Sequence, residues 1–285
     1  MANMVQDFSL HTHTIGFDGR NTPVEMVSRA GELGLLHIGI SNHFIVHPNI
    51  TKSRFYPHAV RGGYGVIYSS SFDEAIRKFE PHYAELNKLS ANSGIKIYRG
   101  MELDYFDYPD WERGVERMIK ILCPDYIICA SHFVEYDGEL QNVHDMANAD
   151  ADARDKMIKS YWEKLARAAQ TGVFNWMAHL DLPKKTGCGT EEKWVDVEQK
   201  AINEIAKSKT PIEINTSFYN RSDTEPYPSQ RILKMAVSAD IPVLLSDDAH
   251  YAEHIGRYFE RGYEFAQSCG VTKFLTCDVA IHKTH

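Results

Sequence analysis

The chain has 285 residues, 43% of them hydrophobic and 25% charged, so it is long enough for one large domain or two ordinary ones with a substantial core. The formal net charge of −8 and the absence of a basic run argue against nucleic acid as the main partner, and no apolar run approaches a membrane span. Five cysteines without Cys-x-x-Cys spacing, and a start unlike a signal peptide, indicate a cytoplasmic chain with reduced thiols.

Predicted strands and helices alternate along the chain. The first helix shows the clearest start, because Thr22 is a candidate N-cap, Pro23 takes the first helical position and Glu25 lies three residues after the cap. Residues 44–71 are too long for a simple connection and are expected to cover a site, and residues 133–151 are predicted as a polar loop. The predicted strands are 8–13, 36–40, 95–98, 126–129, 174–178, 211–215, 242–245 and 274–276. The predicted helices are 23–33, 72–93, 109–122, 152–170, 194–207, 228–238 and 253–269.

This alternation predicts a parallel sheet with helices outside it. Strands such as 38–40 and 243–245 are apolar at consecutive positions, as expected when both faces of a sheet are buried. About seven strand–helix units, with no Gly-, Pro- or Ser-rich linker between them, favour one domain over residues 1–285 that forms a closed or nearly closed barrel. No Gly-x-Gly-x-x-Gly turn follows a strand, which disfavours folds that bind nucleotide cofactors.

Metal-ligand residue types recur where the predicted strands end. His11 and His13 are two residues apart on an extended backbone, so their side chains point to the same side and can hold one ion. A single histidine in such a place is more often a cap or a surface residue, but the pattern returns at strand after strand. The residues concerned are His11, His13, His43, Glu102, His132, His179, Asp248 and His250. Because the active sites of such barrels lie at the carboxyl ends of the strands, the sequence predicts a polynuclear metal site there.

The ligand types indicate the chemistry. Imidazole and carboxylate groups bind zinc, manganese or iron, and the absence of cysteine among them argues against a purely structural zinc site. Glu102 has two oxygens and can bridge two ions. Several ions held near each other clamp a phosphate and lower the pKa of a bound water, which becomes the nucleophile. Seven further histidines are predicted to be ordinary surface residues, namely His37, His47, His58, His82, His144, His282 and His285.

Together, the segments resemble the polymerase-and-histidinol-phosphatase (PHP) superfamily, and within it the monofunctional histidinol-phosphatase branch, over about residues 8–270. The matching segments are 10–13 with Asp18, 41–43, 100–105, 131–133, 178–185, 213–217 with 226–229, and 246–250 with 255–256. The resemblance implies a distorted (β/α)7 barrel of the TIM type and three divalent transition metals, with zinc preferred to manganese or iron. The implied ligand sets are His11, His13, Glu102 and Asp248 for one ion, Asp18, His43 and His250 for the second, and Glu102, His132 and His179 for the third.

The resemblance also implies hydrolysis of a phosphate monoester, in which a metal-bound hydroxide attacks phosphorus and Asp248 and His250 act as catalytic ligands. Asp181 lies beside a proposed ligand in the sequence. It is a candidate for protonating the leaving group, with a structural hydrogen bond as an equal alternative.

The phosphate also needs cationic partners, for which arginine has the best geometry. Arg221 follows the strand at 211–215 and is the first candidate, and Lys184 stands where the branch often has arginine. Arg257 is a third candidate, weaker than these two. A solvated surface charge is the competing interpretation for Arg221 and Lys184, and it is the preferred one for Arg257, Arg54 and Arg61.

L-Histidinol phosphate is the favoured substrate, and the expected partner is a small phosphate ester. The chain departs from the branch at Asn42, where many members have Asp, at Phe218, where a small Gly is usual, and throughout 44–71 and 134–151. These segments are expected to contact the leaving group, so a sugar phosphate or a nucleotide stays open as the substrate. A non-catalytic metal-binding accessory domain is a further alternative. A two-metal amidohydrolase is another, although that class commonly has a bridging Lys where Glu102 stands here.

Overall fold

The computed structural model describes residues 6–282. The parallel strands and the helices that cover them alternate as predicted. The strands are β1 (Phe8–Ser9), β2 (His37–Ile40), β3 (His43–Val46), β4 (Tyr68–Ser69), β5 (Lys96–Asp104), β6 (Tyr126–Ala130), β7 (Phe133–Tyr136), β8 (Glu139–Asn142), β9 (Trp176–Met177), β10 (Ile212–Asn215) and β11 (Val243–Ser246). The helices are α1 (Pro23–Glu32), α2 (Tyr56–Arg61), α3 (Phe72–Ser90), α4 (Trp111–Leu122), α5 (Ala151–Gln170), α6 (Val195–Ser208), α7 (Gln230–Ser238), α8 (Phe259–Ser268) and α9 (Cys277–Ile281). None of the helices within 6–282 is long and apolar enough to cross a membrane.

Seven strands form the barrel, in the order β1-β2-β5-β6-β9-β10-β11, and each neighbouring pair is parallel. The residues that follow β1 and β11 bring the two edges together, because Thr12 and Ala249 form a parallel bridge. His13 N donates to Ala249 O at 2.9 Å, and Ala249 N donates to His11 O at 3.0 Å. The predicted distorted barrel of seven strands is therefore confirmed, and its closure lies beside the first proposed metal ligands.

The segment 44–71 is more regular than predicted. It continues β3 and contains α2 and β4, and β3 pairs with both β4 and the second half of β5. Strand β5 can pair with two strands on the same side because it is nine residues long. Its first half pairs with β2 and its second half pairs with β3, where His43 lies opposite Glu102. The sequence analysis predicted no strand in this segment, because the partner of β3 in β5 is more than 50 residues away in the sequence.

Other boundaries also differ from the prediction. Residues 133–142 form the antiparallel hairpin β7–β8 in place of the first part of the predicted loop. The last predicted helix begins at Phe259 rather than at residue 253, and the predicted strand 274–276 is reduced to a single bridge from Phe274 to Val243. The start of α1 agrees with the sequence, since Thr22 Oγ1 accepts from Glu25 N and Glu25 Oε2 accepts from Thr22 N.

The barrel interior is divided into two levels. We call the end at the carboxyl ends of the strands the upper end and the opposite one the lower end. At the lower end an apolar cluster includes Leu10, Tyr126, Trp176 and Leu244, and residues of α9 pack against it. Asn175 Nδ2 fixes that helix by donating to the carbonyl oxygens of the last two α9 residues, at 3.1 and 2.8 Å.

Two glycines make room for the large aromatic side chain in this cluster. The hydroxyl end of Tyr126 lies against Gly39 of β2 and Gly100 of β5, and neither backbone position leaves space for a Cβ atom. The Tyr126 hydroxyl donates to Leu10 O, and the Tyr126 ring stacks on Trp176 with centroids 5.0 Å apart. Because side chains alternate along a strand, Glu102 and Asp104 lie on the same face as Gly100 but nearer the upper end.

Candidate metal centre

The nine predicted metal ligands lie together at the upper end of the barrel. His11, His13 and Asp18 follow β1, His43 begins β3, Glu102 is in β5, His132 follows β6, His179 follows β9, and Asp248 and His250 follow β11. Most of these side chains are buried. The sheet therefore gathers side chains that are up to 239 positions apart in the sequence, as a barrel does at the carboxyl ends of its strands.

Glu102 lies at the centre of the cluster and is fully buried. Both of its carboxylate oxygens face imidazole nitrogens rather than solvent. The distances from Oε2 are 2.6 Å to His43 Nδ1, 3.6 Å to His11 Nε2 and 3.6 Å to His13 Nε2, and those from Oε1 are 3.0 Å to His179 Nε2 and 3.7 Å to His132 Nε2. One carboxylate thus contacts imidazoles from both sides of the barrel, the position that a bridging ligand requires.

Asp18 organises one side of the cluster. Its Oδ2 lies 3.0 Å from His43 Nε2 and 3.2 Å from His250 Nε2, and its Oδ1 lies 3.5 Å from His13 Nδ1. The loop after β1 carries Asp18 back over the barrel end, so that it faces a residue that follows the last strand. The sequence suggested Asp18 only through the resemblance, because no strand ends there.

Asp248 joins the two sides of the barrel closure. Its Oδ1 lies 3.2 Å from His13 Nε2, 3.6 Å from His11 Nε2 and 3.5 Å from His250 Nδ1. The backbone of Asp248 has φ of +47°, a left-handed conformation that is uncommon for a residue other than glycine. Such a conformation at the end of a strand turns the carboxylate towards the cluster.

The cluster contains buried polar atoms that have no partner in hydrogen-bonding geometry among the described residues, although several lie close to another polar atom of the cluster. They are His11 Nε2, both ring nitrogens of His13, Asp18 Oδ1, His43 Nδ1, Glu102 Oε2 and His179 Nδ1. Leaving buried polar atoms unpaired costs about 1–3 kcal/mol each. Four overlapping groups of donor atoms, each within 4.8 Å, are formed here by members of the nine-residue set. Imidazole nitrogens and carboxylate oxygens at this spacing fit divalent transition metals.

The electrostatics of the cluster favour bound cations. Burial opposes the ionisation of Glu102, but His43, His11 and His132 outweigh it and hold the pKa of this carboxyl well below its usual range. Burial likewise opposes the protonation of His11, yet the negative charges of Glu213, Asp248 and Glu102 raise its pKa well above the ordinary value. Glu102 is therefore ionised at neutral pH, and the carboxylates raise the affinity of His11 for a proton. Burial, together with His250 and His43, instead lowers the pKa of His13 to about 4.

Glu213 supports the cluster from below. Its Oε2 lies 2.9 Å from His11 Nδ1 and accepts from Trp176 Nε1 at 3.1 Å. Its Oε1 accepts from His179 N at 3.1 Å and from Asn215 Nδ2 at 2.7 Å. A carboxylate on the far nitrogen of a ligand imidazole fixes the ring orientation and its tautomer. The sequence prediction assigned Glu213 no role, although a lone carboxylate within the apolar strand 211–215 was the signal.

Asp104 holds a second ligand imidazole. Its Oδ1 lies 2.6 Å from His132 Nδ1, and its Oδ2 accepts from His132 N at 3.0 Å. Asp104 follows Glu102 by two positions on β5, so both carboxylates project from the same face of the strand. Lys164 on α5 is buried behind this pair and donates from Nζ to Phe133 O at 2.7 Å. The sequence prediction assigned no role to Asp104 or Lys164.

A cavity of about 520 Å³, the main cavity, lies above the cluster. One wall is cationic and contains Lys185 and Arg221. A second wall comes from the segment 44–71 and is apolar and aromatic. Besides residues of the cluster, the lining includes Arg20, Ile45, Phe55, Tyr64, Ile67, Tyr68, Asn142, His144, Leu182, Lys185, Ser217, Phe218, Asn220, Arg221, Tyr227, Tyr251 and His254. The cavity thus combines cationic and aromatic side chains above the cluster.

Of the two main candidates for binding phosphate, one lines the main cavity and the other is buried away from it. Arg221 lines the main cavity. Lys184 does not: it is buried, its Nζ lies 3.2 Å from Asp181 Oδ2 and donates to Pro226 O, and it sits 4.7 Å from the Phe218 ring centroid. The next residue, Lys185, lines the cavity instead. Burial lowers the pKa of Lys185 to about 8, against the opposing effect of the Asp248 carboxylate.

Two further predicted residues are outside the main cavity. Asp181 is buried, and its Oδ2 accepts from Ser229 N at 2.8 Å, which matches the structural alternative rather than a leaving-group acid. The guanidinium of Arg257 lies 5.2 Å from the Tyr258 ring centroid and is not part of the lining. Neither side chain is placed to touch a molecule held above the cluster.

Two histidines predicted for the surface are buried. His47 Nε2 lies 2.9 Å from Glu135 Oε1 and so links β3 to the hairpin β7–β8. The Nε2 atom of His82, on α3, lies 3.0 Å from Asn42 Nδ2. Asn42 Oδ1 accepts from Thr14 N at 2.8 Å. Asn42 therefore supports the loop that carries the first ligands. His285 lies outside the described residues.

The chain is similar in sequence to one protein family and to relatives that share one name. The family model described as PHP domain matches residues 7–217. A protein of Deinococcus radiodurans named as a probable histidinol-phosphatase is 27% identical over 255 residues, covering 89% of this chain and 89% of that protein. A protein of Schizosaccharomyces pombe with the same name is 33% identical over 220 residues, covering 70% of this chain and 69% of that one.

Solved structures share the fold. The histidinol phosphate phosphatase of Lactococcus lactis, in complex with zinc, L-histidinol and phosphate, has a TM-score of 0.68 at 18% identity and covers 95% of this chain and 96% of its own. A candidate histidinol phosphatase of Listeria monocytogenes has a TM-score of 0.66 at 20% identity, covering 89% and 99%. At these identities the likeness concerns the fold.

Proposed function

The chain belongs to the PHP domain family, and from this premise we propose that it is a metal-dependent phosphatase that hydrolyses a small phosphate monoester. The observation that carries the proposal is the buried cluster of nine imidazole and carboxylate side chains, with unpaired donor atoms, beneath a cavity that has a cationic wall. When bound, divalent ions in such a cluster clamp a phosphate and lower the pKa of a bound water.

The proposed metal ligands are the nine predicted residues, and zinc is the first choice of metal. Three ions are proposed, with the ligand sets given above. The overlapping donor groups around Glu102 support more than one ion, because His11, His13, His43 and Glu102 each belong to two groups. Asp104 and Glu213 would hold His132 and His11 in place while ions bind.

The phosphate is proposed to lie between the cluster and the cationic wall. Arg221 and Lys185 both line the main cavity, and neither makes an ion pair with another described residue. Charge-assisted hydrogen bonds from such groups are stronger than neutral ones and favour the dianionic phosphate. Lys185 therefore takes the role that the sequence prediction gave to Lys184.

L-Histidinol phosphate is the first substrate to test. The curated relatives are named probable histidinol-phosphatases, and the Lactococcus lactis structure holds L-histidinol and phosphate. The aromatic wall of the main cavity, with Phe55, Tyr64 and Tyr68, gives an imidazole ring of the leaving group a surface to pack on.

Other classes are less well supported. A non-catalytic accessory domain has no need of a cationic cavity above a complete ligand cluster. A two-metal amidohydrolase commonly has a lysine bridge, whereas the central bridging position is taken here by Glu102.

The test measures phosphate release by zinc-, manganese- and iron-loaded protein from L-histidinol phosphate, sugar phosphates and nucleotides, together with metal content. We expect turnover of at least one monoester and loss of turnover on chelation. The variant His132→Ala should lose turnover and keep its thermal transition, because His132 lies at the barrel end rather than in the apolar core. His282→Ala, at an exposed position directly after α9, is the matched control. A metal-loaded sample that cleaves none of the esters contradicts the proposal.

A further inference from the structure

A second cavity adjoins the main cavity. It has a volume of about 850 Å³ and lies between α2, the hairpin β7–β8 and the start of α5, and we call it the side cleft. The side cleft and the main cavity share three lining residues, Phe55, Tyr64 and His144. The two cavities therefore adjoin each other at these three side chains.

The shared boundary is an uncharged aromatic surface. The rings of Phe55 and His144 are nearly parallel, with an interplanar angle of 5° and centroids 6.0 Å apart. Burial, together with Lys185 and Arg221 nearby, lowers the pKa of His144 to about 4, so its ring is neutral at pH 7. Flat aromatic faces of this kind bind planar rings by stacking.

The shared boundary contains no carboxylate. Within the described lining of the main cavity the acidic residues are Asp18 and Asp248, both proposed metal ligands. In the side cleft, Asp145 accepts from Asn142 N at 2.8 Å, and Asp150 accepts from Ala153 N at 2.8 Å at the start of α5. The three boundary side chains therefore offer a flat surface without a negative charge, which suits a neutral ring.

The side cleft also offers hydrogen-bonding groups. Asn148 and Gln141 contribute amide groups to its lining, which also contains Arg54 and His58. Gln141 donates to Glu139, which leaves its side-chain oxygen free to accept. Amide side chains match the paired donor and acceptor on the edge of a purine such as adenine. In the main cavity, Asn142, Ser217 and Asn220 supply polar groups for a hydroxylated spacer.

Resting on the phosphatase function proposed above, we propose that the side cleft is a leaving-group subsite for a purine nucleoside monophosphate, with the base against Phe55 and His144 and its polar edge towards Asn148 and Gln141. The reaction is hydrolysis. The oxygen of water bonds to phosphorus, the bond from phosphorus to the ester oxygen breaks, and that oxygen leaves with a proton as the hydroxyl group of the nucleoside.

The test compares adenosine 5′-monophosphate with glycerol phosphate, a monoester without a ring, on the same metal-loaded protein. We expect a higher kcat/KM for the nucleotide. Phe55→Ala should lower the ratio of the two kcat/KM values by about tenfold, because stacking of a base on an aromatic side chain is lost. Phe55→Leu keeps an apolar side chain without a flat face and should lower the same ratio. Tyr56→Ala, at a neighbouring aromatic that lines neither cavity, is the matched control and should leave the ratio unchanged.

Binding of adenosine to the metal-free protein, followed by calorimetry, gives a readout that does not depend on turnover. Its Kd should rise about tenfold in Phe55→Ala and stay constant in Tyr56→Ala. Hydrolysis of glycerol phosphate or L-histidinol phosphate without a preference for the nucleotide, or a ratio that both Phe55 variants leave unchanged, overturns the subsite alone. If none of these esters is hydrolysed, the phosphatase function fails and the subsite fails with it.

Discussion

The two ends of the barrel are built from the same strands but have opposite chemistry. At the lower end, Tyr126, Trp176 and Leu244 are fully or almost fully buried, and the Tyr126 hydroxyl is satisfied by Leu10 O. At the upper end, several imidazoles and carboxylates are buried as deeply, yet some of their polar atoms have no partner in hydrogen-bonding geometry among residues 6–282. One end has the properties of a core, and the other has the properties of a site prepared for ligands.

Glu213 connects the two ends. It accepts from Trp176 Nε1 on the lower side and contacts His11 Nδ1 on the upper side. The packed lower half therefore holds the upper half in a geometry that the contacts of the upper half alone do not satisfy. Substitutions at the two ends should consequently affect different measurements: metal content and turnover at the upper end, and the free energy of unfolding at the lower end.

The largest effect is expected for Glu102→Gln. The amide replaces a carboxylate that faces five imidazoles, removes one negative charge and points N–H groups towards the ions. We expect metal content to fall strongly and kcat/KM for phosphate release to drop by about 10³-fold, or about 4 kcal/mol. Elemental analysis and phosphate-release assays measure both.

Glu116→Gln is the matched control for this change, since Glu116 is exposed on α4 and makes no ion pair with another described residue. It should retain metal and turnover. Full metal content and full activity in Glu102→Gln would remove Glu102 from the centre of the proposed site.

The second prediction concerns the lower end. Leu244→Ala removes a fully buried side chain from the apolar cluster and leaves a cavity between the strands and α9. We expect the metal-free protein to lose about 3 kcal/mol of unfolding free energy, as measured by urea titration. The folded fraction should bind metal as the parent does.

Leu36→Ala, at an exposed position before β2, serves as the control and should change the unfolding free energy by less than about 0.5 kcal/mol. If Leu244→Ala instead reduces metal affinity at unchanged stability, the division between the two ends is wrong.

Local signals account for the parts of this fold that the sequence predicted. Helix α1 has its cap, its proline and its glutamate within four residues, so no distant contact is needed to define its start. The ligand positions were predicted for a related reason: a strand end is visible locally, and the barrel topology brings strand ends together. The strand β3 was missed because His43 pairs with Glu102, and local periodicity carries no information about that partner.

The sequence analysis named Lys184 as a candidate phosphate-binding residue, whereas the structure places Lys185 in the cavity lining. The two lysines are neighbours in the short 3-10 turn Leu182–Thr186, which turns one towards Asp181 and the other towards the cavity. Lys184 is held by the Phe218 and Tyr227 rings, which come from a segment more than 30 residues later. Its orientation therefore depends on tertiary packing rather than on the local sequence.

The smallest predicted effect concerns a buried charge near the upper end. Burial lowers the pKa of Lys164 to about 8, although the Asp104 carboxylate opposes this shift. Below about pH 8 the folded chain carries the full cost of a buried ammonium group. Between about pH 8 and pH 10 the folded form has lost this proton while the unfolded form, with an ordinary lysine pKa near 10.4, keeps it. The unfolded state then binds more protons, so the contribution of Lys164 to stability rises with pH.

The measurement is the unfolding free energy of the parent relative to Lys164→Met at a series of pH values, since the difference cancels groups that titrate in both proteins. It should increase by about 2 kcal/mol from pH 8 to pH 10. Lys159→Met, on the exposed face of the same helix, should show no such slope relative to the parent. A flat difference for Lys164→Met would mean that the ammonium is adequately solvated or paired in the fold. The pH dependence of stability would then not arise from the buried charge behind His132, and the contrast between the two ends would rest on the metal cluster alone.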